Sequence, residues 1–557
     1  MSIQLVLSHY LAGLRERGEL DALLPELLKA MGHAVLSRPQ IGVSQAGVDV
    51  VSVAKREDGE TEVFLFVVKF GDVGRSDLYA DKQSVAPSVR EASSDFVRNR
   101  LPKALRSLHK TIVLLSNGVV KQEAQSGFAA LSEEIGEVPG CSLDFWGTDH
   151  LTPLIERHLF DETLLLSKGK SDLRAALAGL EESDTSVHRF VRFLDTCFDV
   201  VETEKDRKGR ALKKTFLKRC AVAAMGWAVL LVWGRSEDNL KPGVVSGEYL
   251  LLRMWSEAVK VGLWADKNVT ARLEALLMLQ AEALLEYFDK TMPQLQSRRA
   301  ILQYRPDRLA YTDLVFDELG RLSVLLLMLQ KIPGSDELRQ FICGQLLRLT
   351  NEHGGCRLPL YDGHTIDLSL IFAALMGESD SNNAKRLLGD VTQRLYLALQ
   401  TDRYLPVDTD LFEDAVALNI TGEADSRDFF QTSSLVPALA TLAALLGDED
   451  VLKQLREDVG PLLKGATLER WFPALALETL STSRKWDYGF GVSRAITGPR
   501  ATVQDEKDAS LNPPEGAADP TQFKWYGTPW IILAAMSART HRHPVPTWFF
   551  AEYAQLV

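Results

Sequence analysis

The sequence predicts an α/β N-terminal domain followed by a large all-α domain, a helical bundle or an irregular solenoid. Three observations carry that expectation. From Met1 to about Leu166, stretches with apolar residues at helical spacing alternate with short β-rich runs, the pattern of a layered α/β domain. From about Val187 to Val557, nearly every periodic segment repeats its apolar residues at helical spacing, as in LEALLMLQAEALLEYF, LSVLLLMLQKI, LIFAALM and SLVPALATLAALLG. Between the two, KGKSDLRAALAGLEESDTS is polar and low in aromatic residues, the composition of a linker or an exposed helix. The expected organisation is one domain over residues 1–166, a linker over 167–187 and a helical part over 188–557, as one domain or two subdomains.

In order along the first domain, amphipathic helices are expected at Ile3–Arg15 and Glu19–Met31, then strands in AVLSR, VDVVSVAK and EVFLFVVKF. REDGE supplies a hairpin turn between the last two. A polar helix around Pro87–Leu108, the strand TIVLLS, a helix over Lys121–Ile135, the strand SLDFW and a closing helix over Asp149–Leu159 complete it. In the second part no fixed repeat period emerges, and Thr497–Thr521, rich in Pro, Gly and Asp, is expected to form a long loop.

The chain of 557 residues is 46% hydrophobic and 25% charged, which excludes wholesale disorder. A net charge of -12 excludes a global positive field, so any contact with nucleic acid must be local. The five cysteines form no CxxC pair, which fits buried thiols in a reducing compartment and offers no zinc site. His541 and His543 in THRHP have no Cys or carboxylate beside them, so zinc is not expected there either. The segment GKS, Gly169–Ser171, has Leu164 where a P-loop needs glycine, so no nucleotide cofactor is expected. MSIQLVLSHYLAGLRERG lacks the layout of a signal peptide. The apolar run Cys220–Gly234 is shorter than the roughly 20 residues of a spanning helix and reads as a buried helix. A cytoplasmic protein with no membrane contact is expected.

The informative chemistry lies in GVDVVSVAKREDGETEVFLFVVKFG, which places Asp49 on one strand and Lys69 near the end of the next, joined by a tight hairpin. Taken singly, Asp49 after Gly47 reads as a turn terminator and Lys69 as a solvated strand-end charge. Taken together, and with ELLKAMGHAV before them and TIVLLSNG and LDFWGTDHLTPLIERHL after them, they resemble the Mrr-like branch of the PD-(D/E)xK, or restriction-endonuclease-like, nucleases over about 150 residues. The resemblance implies magnesium or manganese bound by Asp49, with Lys69 orienting the attacking water or stabilising developing charge, and Glu26 or Glu19 completing the site from the first helices. The chain departs from the family at Val67, where a carboxylate or glutamine is the rule two residues before the lysine. Glu62 is on the opposite face of the same strand by its odd offset, so a migrated carboxylate is sought downstream at Asp72, Asp77, Asp81 or Glu91.

Two basic clusters are candidates for phosphate contact. One holds Arg98, Arg100 and Lys103; the other holds Lys205, Arg207, Lys208, Arg210, Lys213 and Lys214. A solvated helix face answering nearby acids is the competing account of the second. The resemblance implies hydrolysis of nucleic-acid phosphodiesters, DNA first, in prokaryotic antiviral defence or restriction. The alternative is an inactive pseudonuclease acting as a nucleic-acid-binding or assembly subunit, with the helical part sensing, oligomerising or holding a protein partner.

Overall fold

The computed structural model describes residues 3–15, 19–37, 47–55, 59–80, 84–159, 169–199, 209–304, 307–378, 381–401, 412–421, 431–463, 465–479 and 491–556. The chain divides into two compact units, Met1–Asn239 and Leu240–Val557.

The N-terminal unit begins with helices α1 (Ile3–Gly13) and α2 (Asp21–Ala30), followed by strands β1 (Ala34–Ser37), β2 (Val50–Lys55) and β3 (Thr61–Lys69). Two short helices, α3 (Arg75–Tyr79) and α4 (Val85–Glu91), lead to β4 (His109–Ser116), α5 (Gln122–Gly136), β5 (Cys141–Trp146) and α6 (Thr148–His158). The five strands form one sheet in sequential order, antiparallel from β1 to β3 and parallel from β3 to β5. β3 is central, and its uninterrupted apolar run follows from burial on both faces. Val63, Leu65 and Val67 belong to one core with Leu78 of α3, Val85 and Val89 of α4, and Leu131 and Ile135 of α5. The expected helix over Pro87–Leu108 is shorter: α4 continues as a wider helical turn to Arg100, and Pro102 then stops it.

Three more helices belong to this unit: α7 (Lys170–Ala178), α8 (Ser183–Phe198) and α9 (Gly209–Ser236). The break between units therefore falls after Asn239, whereas composition places it at 167–187. The reason is packing: α9 lies against α1 and α8, and residues 170–178 of the expected linker are helical with Leu173 and Ala176 fully buried. α9 is long and apolar enough to cross a membrane, yet 67% of its apolar window is buried, as in a core helix.

The C-terminal unit contains α10 (Lys241–Lys260), α11 (Lys267–Leu295), α12 (Arg298–Tyr304), α13 (Arg308–Leu329), α14 (Asp336–Glu352), α15 (His364–Met376), α16 (Asn382–Thr401) and α17 (Phe412–Thr421). Then follow β6 (Thr432–Ser433), α18 (Leu435–Leu446), α19 (Glu449–Gln454), β7 (Thr467–Pro473), β8 (Gly491–Ile496), α20 (Val503–Leu511), α21 (Ile532–His541) and α22 (Thr547–Leu556). This unit is largely helical but not all-α, because β6, β7 and β8 form a three-stranded sheet. β7, TLERWFP, is rich in β-formers and pairs with β8 in antiparallel register. The expected loop over Thr497–Thr521 holds α20, whose N-terminus is capped by the Thr502 hydroxyl accepting from the Asp505 N–H. None of the five cysteines forms a disulfide; Cys141, Cys220 and Cys356 are buried and Cys197 and Cys343 half-buried.

Candidate nucleic-acid interface

The structure brings Asp49 and the end of β3 together. The Asp49 N–H donates to the Phe66 carbonyl at 2.8 Å, and its Oδ2 accepts from the Val68 N–H at 2.7 Å. The carboxylate thus stands where a strand carbonyl would continue the β2–β3 ladder, and ends it. Gly47 sits just before, in the left-handed region at φ 77°, where a Cβ would lie 2.2 Å from the Ser88 carbonyl oxygen of α4, so no side chain fits there. Lys69 follows Val68 as the last residue of β3 and is half-buried. Val67, two residues before Lys69, where the resemblance calls for a carboxylate, is 1% exposed and belongs to the apolar core.

The other expected metal ligands are placed elsewhere. Glu19 accepts from Lys218 Nζ at 2.6 Å and from the Arg15 N–H at 2.8 Å. Glu26 is exposed on α2 and pairs with Lys29 at 3.2 Å. Asp72 Oδ1 accepts from the Val119 N–H at 3.2 Å, and Asp77 Oδ2 from the Gly74 N–H at 2.8 Å, where it caps α3. Glu91 is exposed at the end of α4, and Asp81 lies outside the described residues. Glu62 is buried at the far end of β3, accepting from the Thr111 hydroxyl with His109 3.7 Å away. Among the described residues no group of three His, Cys, Asp or Glu side chains converges on a cation. Asp49, Glu19, Glu26, Asp72 and Asp77 therefore spend carboxylate oxygens on backbone N–H groups, a helix cap or ion pairs, and among the described residues they do not converge with a third carboxylate to form a cradle for magnesium or manganese.

What does gather at the strand end is cationic and aromatic. Beyond Lys69, the chain turns at Gly71, whose N–H is held by Asn117 Oδ1 at 2.8 Å. The Asn117 amide also donates to the carbonyls of Leu11 and Leu14, each at 2.9 Å, and so ties the end of α1 to the exits of β3 and β4. A Cβ at Gly118 would collide with the Gly71 backbone, which explains the glycine after Asn117. The turn presents Phe70, 48% exposed, beside Lys69. Lys214 Nζ from the first turns of α9 lies 5.8 Å from the centroid of the Phe70 ring. Lys218, one turn further on, anchors this stretch of α9 to Glu19. Arg210 is exposed and Lys213 half-buried on the same first turns.

The second basic cluster therefore reaches the Asp49–Lys69 strand end, through residues the composition had assigned to the helical part. Lys205, Arg207 and Lys208 lie outside the described residues. The first cluster does not join it. Arg98, Arg100 and Lys103 are exposed on the segment feeding the start of β4, and β4 enters opposite Glu62 and leaves opposite Lys69. Seven residues of strand, about 23 Å, separate those two ends. Sequence reasoning passed over Phe70; its signal is a large aromatic ring directly after the strand lysine and before a glycine, where the apolar run has no neighbour left to bury it.

A cationic group over an exposed ring, flanked by further cations, is suited to holding phosphate while a base stacks on the ring. Compared with protein-family models, curated proteins and solved structures, the chain matches none.

Proposed function

We propose that the N-terminal unit is a restriction-endonuclease-like module that binds nucleic acid, DNA first, without hydrolysing it, and serves as a binding or assembly subunit in prokaryotic defence. The observation that carries the reading is Lys214 Nζ 5.8 Å above the exposed Phe70 ring next to Lys69, which gathers cation and stacking surface at the strand end. The order of elements around the mixed sheet, with the aspartate and lysine strands adjacent, supports the fold part of the proposal. The absence of hydrolysis is argued from Val67 in the core and from Asp49 bonded to the backbone of β3. Association with a protein partner, or with further copies through the helical unit, belongs to the same proposal.

Fluorescence anisotropy with labelled single-stranded DNA, duplex DNA and RNA, read across a salt series, tests it. Phe70→Ala should lower affinity for single strands by roughly tenfold, the loss of one stacked base. Lys214→Ala should weaken binding and make the salt slope shallower by about one. Unchanged affinity in both variants would refute the interface. Cleavage of any of these substrates with magnesium or manganese, abolished by Asp49→Ala, would overturn the non-hydrolytic part and restore the nuclease reading.

A further inference from the structure

In the C-terminal unit a cleft with about 50 Å³ of accessible volume opens where α15, α18 and β7 meet the chain entering α22. That is several times the roughly 10–15 Å³ that a single water needs on the same measure. Three of its wall residues carry buried polar atoms that have no hydrogen-bond partner among the described residues: Thr365 Oγ1, in a residue 7% exposed, Arg470 Nε, in a residue 5% exposed, and Trp471 Nε1, in a residue 4% exposed. Each such orphan costs free energy until something pairs with it. The rest of the Arg470 head is spoken for by an ion pair with Glu506, which is itself fully buried. We propose that this cleft binds a small, uncharged heteroaromatic molecule of the nucleobase or nucleoside class.

The chemistry of the walls narrows the occupant. The unpaired Arg470 N–H and Thr365 hydroxyl call for a carbonyl oxygen or ring nitrogen. Glu469, half-buried two residues before Trp471, offers an acceptor for a ligand N–H. Ile366, Leu442, Trp471, Val545 and Phe550 line the same space and suit flat apolar faces. Trp471 already stacks on His543, with centroids 5.5 Å apart.

Charge then excludes anions. Glu506 neutralises Arg470, while Asp362 and Glu469 leave the lining net negative. Asp362 is not the recognition group, because it already accepts from the Ser434 N–H at 2.7 Å and from the Ser433 and Ser434 hydroxyls at 3.1 and 3.2 Å. An apolar amine would answer Glu469 but leave the Arg470 N–H unpaired. A nucleobase edge, with carbonyl beside N–H and two apolar faces, answers the donors and the acceptor together. This inference stands apart from the reading of the N-terminal unit.

Isothermal titration calorimetry on the full chain tests it, with cytosine, uracil, adenine and their nucleosides as probes and benzoate and benzylamine as controls. One or more of the bases or nucleosides should bind one to one. Thr365→Val, which removes only the hydroxyl, should weaken that binding about tenfold. Ala438→Leu, on the α18 wall at a half-exposed helix position, should fill the cleft and abolish binding with no loss of melting temperature. No heat from any base or nucleoside would overturn the proposal. So would binding that Ala438→Leu leaves intact, or binding of benzoate or benzylamine in place of the bases.

Discussion

Replacing Arg539 by methionine should destabilise the C-terminal unit by about 3–5 kcal/mol, the usual cost of removing one partner from a buried ion pair. Arg539 lies near the end of α21 with its side chain 6% exposed. It reaches Glu248 of α10 at 3.1 Å, Asp317 of α13, and Asp367 of α15 at 3.9 Å. Four helices therefore meet on one guanidinium. Glu248 would keep only the Thr540 hydroxyl, at 3.0 Å, of the side-chain donors seen here, whereas Asp367 retains Arg542 at 2.8 Å. The loss is therefore concentrated on Glu248, which is fully buried. For a unit of this size, with an unfolding entropy near 2 cal/mol/K per residue, about 4 kcal/mol corresponds to a fall of roughly 6 °C in melting temperature. Differential scanning calorimetry of the full chain gives that shift, and Glu248→Gln completes a double-mutant cycle. The double variant should lose less than the sum of the singles, because the methionine no longer strands a charge. A loss below about 1 kcal/mol in Arg539→Met would refute the reasoning, since it would mean that the carboxylates find water or another cation at no cost.

Burial holds His541 at about 4, below its ordinary value of 6.5, so it is neutral in the fold and protonates first in the unfolded chain. Its contribution to stability is whole above about pH 6.5, falls by about 1.4 kcal/mol per pH unit below that, and levels near pH 4. His541→Phe should preserve the edge contact with Tyr249 and flatten the acid limb of a urea-midpoint profile between pH 6.5 and 4; an unchanged limb would show that His541 titrates normally. Asn117→Ala should cost about 2–4 kcal/mol in the N-terminal unit, because the Gly71 N–H and the Leu14 carbonyl lose the Asn117 amide and the Leu11 carbonyl is left with the Leu14 N–H alone. A change under 1 kcal/mol in urea titration would remove the clamp from the account of how the strand end is held.

Much of the α/β order was legible because it is local. EVFLFVVKF reads as a strand buried on both faces from its unbroken apolar run alone, and TIVLLS beside it likewise. The adjacency of Asp49 and Lys69 follows from two strands and one hairpin. The rest depends on contacts that spacing does not encode. The approach of Lys214 to Phe70 joins residues far apart in sequence through the packing of α9 on α1. That same packing moves the unit boundary to Asn239, where composition offers no signal. The strand in TLERWFP and the helix in VQDEKDASL are short and flanked by Gly and Pro, so their local pattern reads as turn and loop. Thr365 and Arg470, more than a hundred residues apart, acquire meaning only where one cleft holds both.

Val67 is best understood together with Asp49 rather than alone. A carboxylate at 67 would stand among Val51, Leu65, Val85 and Val89, stripped of water and far from any described cluster of ligands, a placement that costs several kcal/mol unless a cation compensates it. Valine instead lets the odd-numbered face of β3 pack continuously against α4, and that packing positions Ser88 over Gly47. Gly47 in turn directs the chain so that Asp49 meets the Val68 N–H. The apolar residue and the bonded aspartate are therefore parts of one arrangement, in which the carboxylate terminates a ladder and Lys69 is delivered at its end. Placing a single acidic side chain at 67 would not create a metal cradle, since the oxygen already given to Val68 and the packing on α4 would both have to be undone. The same arrangement leaves Lys69 and the exposed Phe70 at the strand end, with Lys214 5.8 Å from the Phe70 ring centroid, the placement on which the proposed binding rests.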